Sequence, residues 1–376
     1  MPEISYTRVN DNTPVLVGCA QLTDKRGVEG YNYLEILTEV SKKALIDCEA
    51  SKDFRQEIDT VGVIRFVADT PQRDSATSDL WGYPNMPRSL ARSLGFNAKN
   101  EIYTTTGGNS PQIAINELAN RIKDKQIECA LLSGGEALDT FVTRLKDGLE
   151  VNWSDEPGGE PEIIGKSEDG TNDHEKIHGI FNPSSVYPLF ANSLRGLNNQ
   201  TVQEHMNDTG ELFERFSKVA SKNKYSWFPI HRSAEEIALT QPENRMIGLP
   251  YTKYMNSIMR VNQSCALILM SAKKARELGI PTSKWVFMYA GACINDIWNV
   301  SDRVDYSSSP AIKACSDNVF ELADVKIEEL NFIDLYSCFP SAVQIAMKEL
   351  ELSKDDPRGL TVTGGLPYFG GPGNAY

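Results

Sequence analysis

Thr104-Thr105-Thr106-Gly107-Gly108 and Thr361-Val362-Thr363-Gly364-Gly365 are two copies of one pattern, TxTGG, each just after a strand-like run. The first copy leads into Asn109-Ser110-Pro111-Gln112, an apolar-periodic stretch over 113–122 and the run Cys129-Ala-Leu-Leu-Ser-Gly-Gly-Glu136. That order reads as strand, glycine turn, helix capped by Ser or Asn, and a second buried strand. The second copy leads to Leu366-Pro-Tyr-Phe-Gly-Gly-Pro-Gly-Asn-Ala-Tyr376. Measured against its own repeat, the chain is expected to stop one helix and one strand short.

The same order recurs upstream of each copy. A strand at 15–20, a helix over 33–48 and a strand over 58–67 are matched by a strand at 285–290, a helix over 310–322 and a strand at 332–336. Helices at 90–94 and 342–350 then precede the two TxTGG strands. Strand and helix alternating twice over predict an α/β fold built from two repeated halves. The stretch between them differs in character. Residues 154–176 are rich in Asp, Glu and Gly and are expected as an exposed excursion. Residues 185–195 and 211–225 read as helices, and 263–278 as a strand and helix that close the first half. The expected division is 12–140 with 255–280 for the N-terminal half, 141–254 for a loop or cap domain, and 281–376 for an incomplete C-terminal half.

With 376 residues, 40% of them hydrophobic, the chain can bury a core in two or three packed units. Its net charge of −13 argues against a general binder of nucleic acid or anionic membranes, so a phosphate ligand needs a local basic patch. No apolar run approaches the roughly 20 residues that span a bilayer. The first residues, MPEISYTRVND, lack the form of a signal peptide, and a cytoplasmic protein is expected. Seven cysteines (19, 48, 129, 265, 293, 315 and 338) occur without any CxxC, mostly in apolar runs. They read as buried thiols, not as disulfides or zinc ligands.

Four local patterns carry chemistry. His174-Glu175-Lys176-Ile177-His178 matches HExxH, in which two His on one helical turn hold zinc and the Glu activates water. Here a polar run precedes it, Gly179 and Asn182-Pro183 end it, and no third ligand follows, so a solvated loop and no metal site are expected. The first TxTGG is either an ordinary strand-to-helix turn or a place where backbone N–H groups face an oxyanion or phosphate. Tyr336, Ser337 and Cys338 end a strand-like run, where α/β folds build sites; Tyr serves as acid or base, and Cys as nucleophile when its pKa is lowered. No His stands beside them, so packing alone is the competing reading. Lys218, Lys222, Lys224, His231 and Arg232 form the most basic cluster of the chain, either a seat for a phosphorylated ligand or a solvated face.

The ordered set of motifs resembles the thiolase superfamily over essentially the whole chain. It comprises Val15-Leu-Val-Gly-Cys-Ala-Gln21, Leu132-Ser-Gly-Gly-Glu136, a loop domain, Val261-Asn-Gln-Ser-Cys-Ala-Leu-Ile-Leu269, Asp334-Leu-Tyr-Ser-Cys-Phe339 and the terminal Gly-rich segment. Asn182-Pro-Ser-Ser-Val-Tyr-Pro-Leu-Phe190, Asn244-Arg-Met-Ile-Gly-Leu-Pro-Tyr251 and 363–374 are similar to the sterol-carrier-protein-type relatives grouped as thiolase-like protein type 1. The resemblance implies a thiolase-like αβαβα layered fold, a homodimer and an acyl-CoA bound through the loop domain. Coenzyme A thioester is then substrate or ligand, with Lys222, Lys224, His231 and Arg232 as its contacts, and no cofactor is needed.

The same resemblance removes the expected acetyl-CoA acetyltransferase activity. Gly107 or a near neighbour stands where a thiolase has its nucleophilic Cys, Tyr336 followed by Ser337 where it has His or Asn, and Gly371 in Gly370-Gly371-Pro372 where it has His. The second thiolase Cys would fall beyond Tyr376, and the chain is expected to be a fragment of a longer one. Thiolysis needs an acyl-enzyme nucleophile, an acid/base partner and an oxyanion site, and two of the three are gone. Three readings follow: an acyl-CoA-binding protein of unassigned chemistry, a retro-aldol lyase using Tyr336 with Tyr368 on a 3-hydroxyacyl-CoA, and a non-catalytic partner of an OB-fold protein.

Overall fold

Strand-forming runs within 14–164 and 262–287 form one seven-stranded sheet. The computed structural model describes residues 9–69, 82–166, 168 and 170–371. In chain order its elements are β1 (Pro14–Thr23), α1 (Tyr33–Asp47), β2 (Thr60–Ile64), α2 (Met86–Ser93), β3 (Asn100–Thr104), α3 (Ser110–Lys123), β4 (Cys129–Ala137), α4 (Leu138–Lys146), β5 (Glu162–Ile164), α5 (Asp173–Ile177), α6 (Pro183–Leu197), α7 (Val202–Ala220), α8 (Ala234–Ala238), β6 (Met246–Gly248), β7 (Tyr251–Thr252), β8 (Asn262–Ser271), α9 (Ala272–Glu277), β9 (Val286–Phe287), α10 (Pro310–Ala323) and α11 (Pro340–Glu349). The described residues before 167, Arg260–Tyr289 and Gly371 pack as one compact unit; Glu168–Met259 and Ala290–Gly370 pack as a second. The expected α/β class holds.

In the first unit the strand order is β5-β3-β2-β4-β8-β1-β9. The first four strands run parallel, and the remaining pairings are antiparallel. Alternation sorts the side chains to two faces. Val61, Val63, Cys129, Leu131, Ala266, Ile268 and Met270 meet α1, α2 and α9 on one face. Ile64, Ala130, Leu132 and Leu269 meet Ala114, Leu118 and Ile122 of α3 on the other. Covered on both sides, β2 and β4 are buried along their whole length, which is why their sequences are continuous small or apolar runs. Asn32 caps α1 with a reciprocal pair of bonds to Glu35, 2.8 and 2.9 Å long.

Four expectations change here. The strand expected at 285–290 is only Val286–Phe287, and it extends the first sheet by pairing with Val15 and Leu16. The ladder cannot run further because the next residue of β1 in that direction is Pro14, which has no N–H to donate. The strand expected at 332–336 does not form. Leu335 N–H donates to the Leu360 carbonyl at 2.9 Å, but Val362 N–H, which would complete a parallel bridge, is taken by the Asp334 carboxylate at 3.0 Å. The expected excursion 154–176 is not wholly exposed. Its residues Glu162–Ile164 cover the edge of β3, and the Arg121 guanidinium grips both Glu162 carboxylate oxygens at 2.8 and 2.6 Å. Finally, HExxH is a short helix, α5, with its Glu175 buried.

One buried amide ties three parts of the first unit together. Asn262 Nδ2 donates to the Asp24 carbonyl at 3.0 Å and to Thr140 Oγ1 at 2.9 Å, and its Oδ1 accepts the Thr140 N–H at 3.0 Å. Asn262→Ala leaves buried partners unsatisfied and should cost about 2–4 kcal/mol of stability, read from urea unfolding; an unchanged midpoint would show that the site rehydrates.

Candidate functional site

The second TxTGG is closed by its own threonines. Thr361 Oγ1 accepts the Gly364 N–H at 3.0 Å, and Thr363 Oγ1 accepts the Gly365 N–H at 3.2 Å. Gly364 and Gly365 sit at φ +108° and +75°, a left-handed backbone that suits residues without Cβ. The space demands it as well. A Cβ on Gly364 would lie 2.4 Å from Ala220 Cβ, and one on Gly365 would lie 2.5 Å from Phe216 Cδ1. The first copy is built differently. Neither Gly107 nor Gly108 has positive φ, Ser110 N–H donates to the Gly107 carbonyl at 3.1 Å, and Ser110 Oγ donates to the Thr105 carbonyl at 2.7 Å as the chain enters α3. One sequence pattern thus makes two turns, because only the second lies flat against a helix.

Ser337 joins the second turn to the segment before α11. Its buried hydroxyl accepts the Leu366 N–H at 3.1 Å. Beyond Leu366 the N–H groups of Tyr368 and Phe369 both donate to the Gly365 carbonyl, at 3.1 and 2.7 Å, which coils 365–369 into one helical turn. The loop after α7 clasps that turn: Asn223 Nδ2 donates to the Thr363 carbonyl at 3.2 Å, Phe228 N–H to Tyr368 at 3.0 Å and Trp227 N–H to Phe369 at 2.7 Å. The expected basic cluster and the expected site turn are therefore neighbours.

Within that cluster the roles divide. Lys222 and Lys224 are exposed, with Lys224 Nζ 4.9 Å over the Tyr225 ring. His231 Nε2 lies 3.3 Å from Glu214 Oε1, and the Arg232 guanidinium lies 3.8 Å over the Tyr254 ring. Three of the four residues thus have a protein partner, and both lysines remain exposed.

Cys338 is buried among phenols. The hydroxyls of Tyr187 and Tyr336 both hydrogen-bond to its sulfur, yet burial outweighs them and pushes the thiol up to about 12. Tyr187 is in turn pushed well above its ordinary range, first by the Cys338 charge and then by burial. Phe339 stacks on Tyr187 with centroids 4.2 Å apart. Tyr251 Oη accepts the Ser341 N–H at 3.1 Å in the first turn of α11, and burial pushes its own phenol up. Tyr187 and Tyr251 were missed by sequence reasoning, although both lie in segments that carry the family resemblance. The usable signal was the spacing of Tyr187 at i−4 and i−7 from Ala191 and Leu194, two buried residues of α6.

Tyr368 is also buried, with its ring 6.3 Å from that of Phe213. Burial drives its phenol well up while the Arg232 charge opposes the shift. Its Oη has no hydrogen-bond partner among the described residues. Tyr336, Ser337, Cys338 and Tyr368 belong to the second unit, Gly107 and Gly371 to the first, and Pro372 lies outside the described residues. Glu175 is no catalytic base. It accepts the N–H groups of Ser301 at 2.5 Å and Asn172 at 2.8 Å, which holds its carboxyl below the usual range against the burial that raises it.

The structure of a monomeric SCP2-thiolase-like protein type 1 from Mycobacterium smegmatis matches this chain with a TM-score of 0.77 at 32% identity, covering 98% of this chain and 70% of that one. The chain belongs to the thiolase superfamily, among its SCP2-thiolase-like proteins. An acetyl-CoA acetyltransferase from Methanocaldococcus jannaschii is 23% identical over 252 residues, 65% of this chain and 60% of that enzyme, so the chain spans less than two thirds of that relative's length. An Ltp2–ChsH2(DUF35) aldolase shares the fold, with a TM-score of 0.65 at 15% identity over 96% of this chain and 86% of that one. No protein-family model matches the chain. Burial keeps the Cys338 thiol protonated near neutral pH, which makes it a poor nucleophile.

Two outcomes check this site. At pH 8 burial keeps the Cys338 thiol protonated, so iodoacetamide should label the exposed Cys293 and leave Cys338 intact by peptide mass spectrometry. Rapid labelling of Cys338 at pH 8 would contradict its burial. Gly365→Ala should lose about 2–4 kcal/mol through backbone strain and overpacking against Phe216, measured by denaturant unfolding.

Proposed function

We propose that this chain is an acyl-CoA-binding member of the superfamily that does not carry out ordinary thiolase chemistry. The positions that the resemblance gives to the nucleophile and the two acid/base groups are Gly107, Tyr336 and Gly371, so the nucleophile and one acid/base group have no side chain to act. The loop carrying Lys222 and Lys224 supports the binding part of this reading, because two exposed lysines lie on the loop that clasps the turn carrying Tyr368.

A second reading, carbon–carbon cleavage, is favoured by the buried Tyr368 hydroxyl that lacks a protein partner. Buried hydroxyls are ordinarily satisfied, so a ligand oxygen or a water is its natural complement. In a retro-aldol step on a 3-hydroxyacyl-CoA, the 3-hydroxyl gives up its proton, the C2–C3 bond breaks, a carbonyl product leaves, and the thioester enolate is protonated at C2. A phenol kept protonated by burial, Tyr368, donates to the enolate oxygen; Tyr336 handles the hydroxyl proton. The aldolase of similar fold is a complex with a DUF35 protein, which supports a partner protein as a third reading, in place of catalysis by this chain. The M. smegmatis relative is described as monomeric, which favours a monomer over the expected homodimer. Among the described residues no helix is long and apolar enough to cross a membrane, and a cytoplasmic setting is part of the proposal.

Acetyl transfer from acetyl-CoA should not exceed a no-protein control; transfer well above it would overturn the main reading. On a 3-hydroxyacyl-CoA, Tyr336→Phe and Tyr368→Phe should each lower turnover by about 10²–10⁴-fold. Calorimetric binding of the thioester without turnover would retain the binding reading and remove the lyase.

A further inference from the structure

HExxH has lost its catalytic Glu to the fold, but its two histidines remain free. His174 and His178 are exposed, His174 in α5 and His178 at its C-cap, with ring centroids 4.8 Å apart and planes at 67°. Neither imidazole has a hydrogen-bond partner among the described residues. The backbone beneath them is held. Asn172 and Glu175 cap the helix reciprocally at 2.9 and 2.8 Å, the buried Glu175 carboxylate takes the Ser301 N–H at 2.5 Å, and Asn172 Nδ2 donates to Ser301 Oγ at 3.1 Å. The residue that HExxH would use for chemistry is here the anchor that presents the histidines.

The ring spacing matches chelation. With metal–nitrogen bonds of about 2.0–2.1 Å and a ring centre roughly 1.1 Å beyond the nitrogen, two imidazoles on one ion at about 90–110° have centroids about 4.5–5.2 Å apart. The observed 4.8 Å falls inside that range. We propose that His174 and His178 form a surface site for a borderline divalent transition ion, Cu²⁺ ahead of Ni²⁺ and Zn²⁺. Among the described residues no group of three or more His, Cys, Asp or Glu could hold an ion, so water fills the remaining coordination positions. The site binds an ion; it is not a zinc hydrolase centre, because Glu175 faces backbone N–H groups and not a metal-bound water.

The test is titration of the full-length, tag-free, metal-stripped protein with Cu²⁺, followed by calorimetry and electron paramagnetic resonance. One equivalent should bind with hyperfine structure from two nitrogens. His174→Asn and His178→Asn should each weaken binding by about 10²-fold through loss of the chelate, with far-UV circular dichroism unchanged because both side chains are exposed. The other two histidines of the chain are internal controls: His205 is buried with Nδ1 3.3 Å from Gln200 Oε1, and His231 pairs with Glu214. Wild-type affinity in either single variant, or a one-nitrogen signal in the parent, overturns the proposal.

Discussion

The Ser337 hydroxyl, buried and accepting the Leu366 N–H at 3.1 Å, is the contact on which the arrangement of the second unit depends. The bond brings the turn close to Ser337, which suits glycine beside it: a Cβ on Gly365 would lie 2.8 Å from Ser337 Oγ. Through that bond the segment carrying Tyr336 and Cys338 is tied to the turn carrying Tyr368. The loop after α7 then clasps the same turn by its backbone, which brings the exposed lysines beside it.

The chemistry available there follows from burial. A thiol driven to about 12 and phenols driven above their ordinary range are protonated near neutral pH, so the cluster offers hydrogen-bond donors and no ready nucleophile. Such a set suits stabilisation of an oxyanion or enolate better than covalent catalysis.

Much of the first unit was legible because its elements are local. The apolar period around Ile36, Val40 and Ala44 marks a helix, and the unbroken run Cys129-Ala-Leu-Leu marks a strand covered on both faces. The runs at 285–290 and 332–336 have strand composition too, and composition could not tell their outcome. A strand exists only with a partner offering unspent N–H and C=O groups. Pro14 withholds one donor, and the Asp334 carboxylate takes another. HExxH was misread as a solvated loop for a related reason: the Ser301 N–H that buries Glu175 comes from 126 residues away.

The sequence by itself determined the α/β class and the superfamily, since these depend on residue identity and order. Tertiary structure decided which identical motifs share a conformation. The two TxTGG copies differ because Ala220 and Phe216 press on one of them, and Gly364 and Gly365 answer with a left-handed backbone that Gly107 and Gly108 do not use. It also decided that Tyr187 and Tyr336 meet at a single thiol. Their positions in the chain are far apart, and only packing brings their hydroxyls to one place.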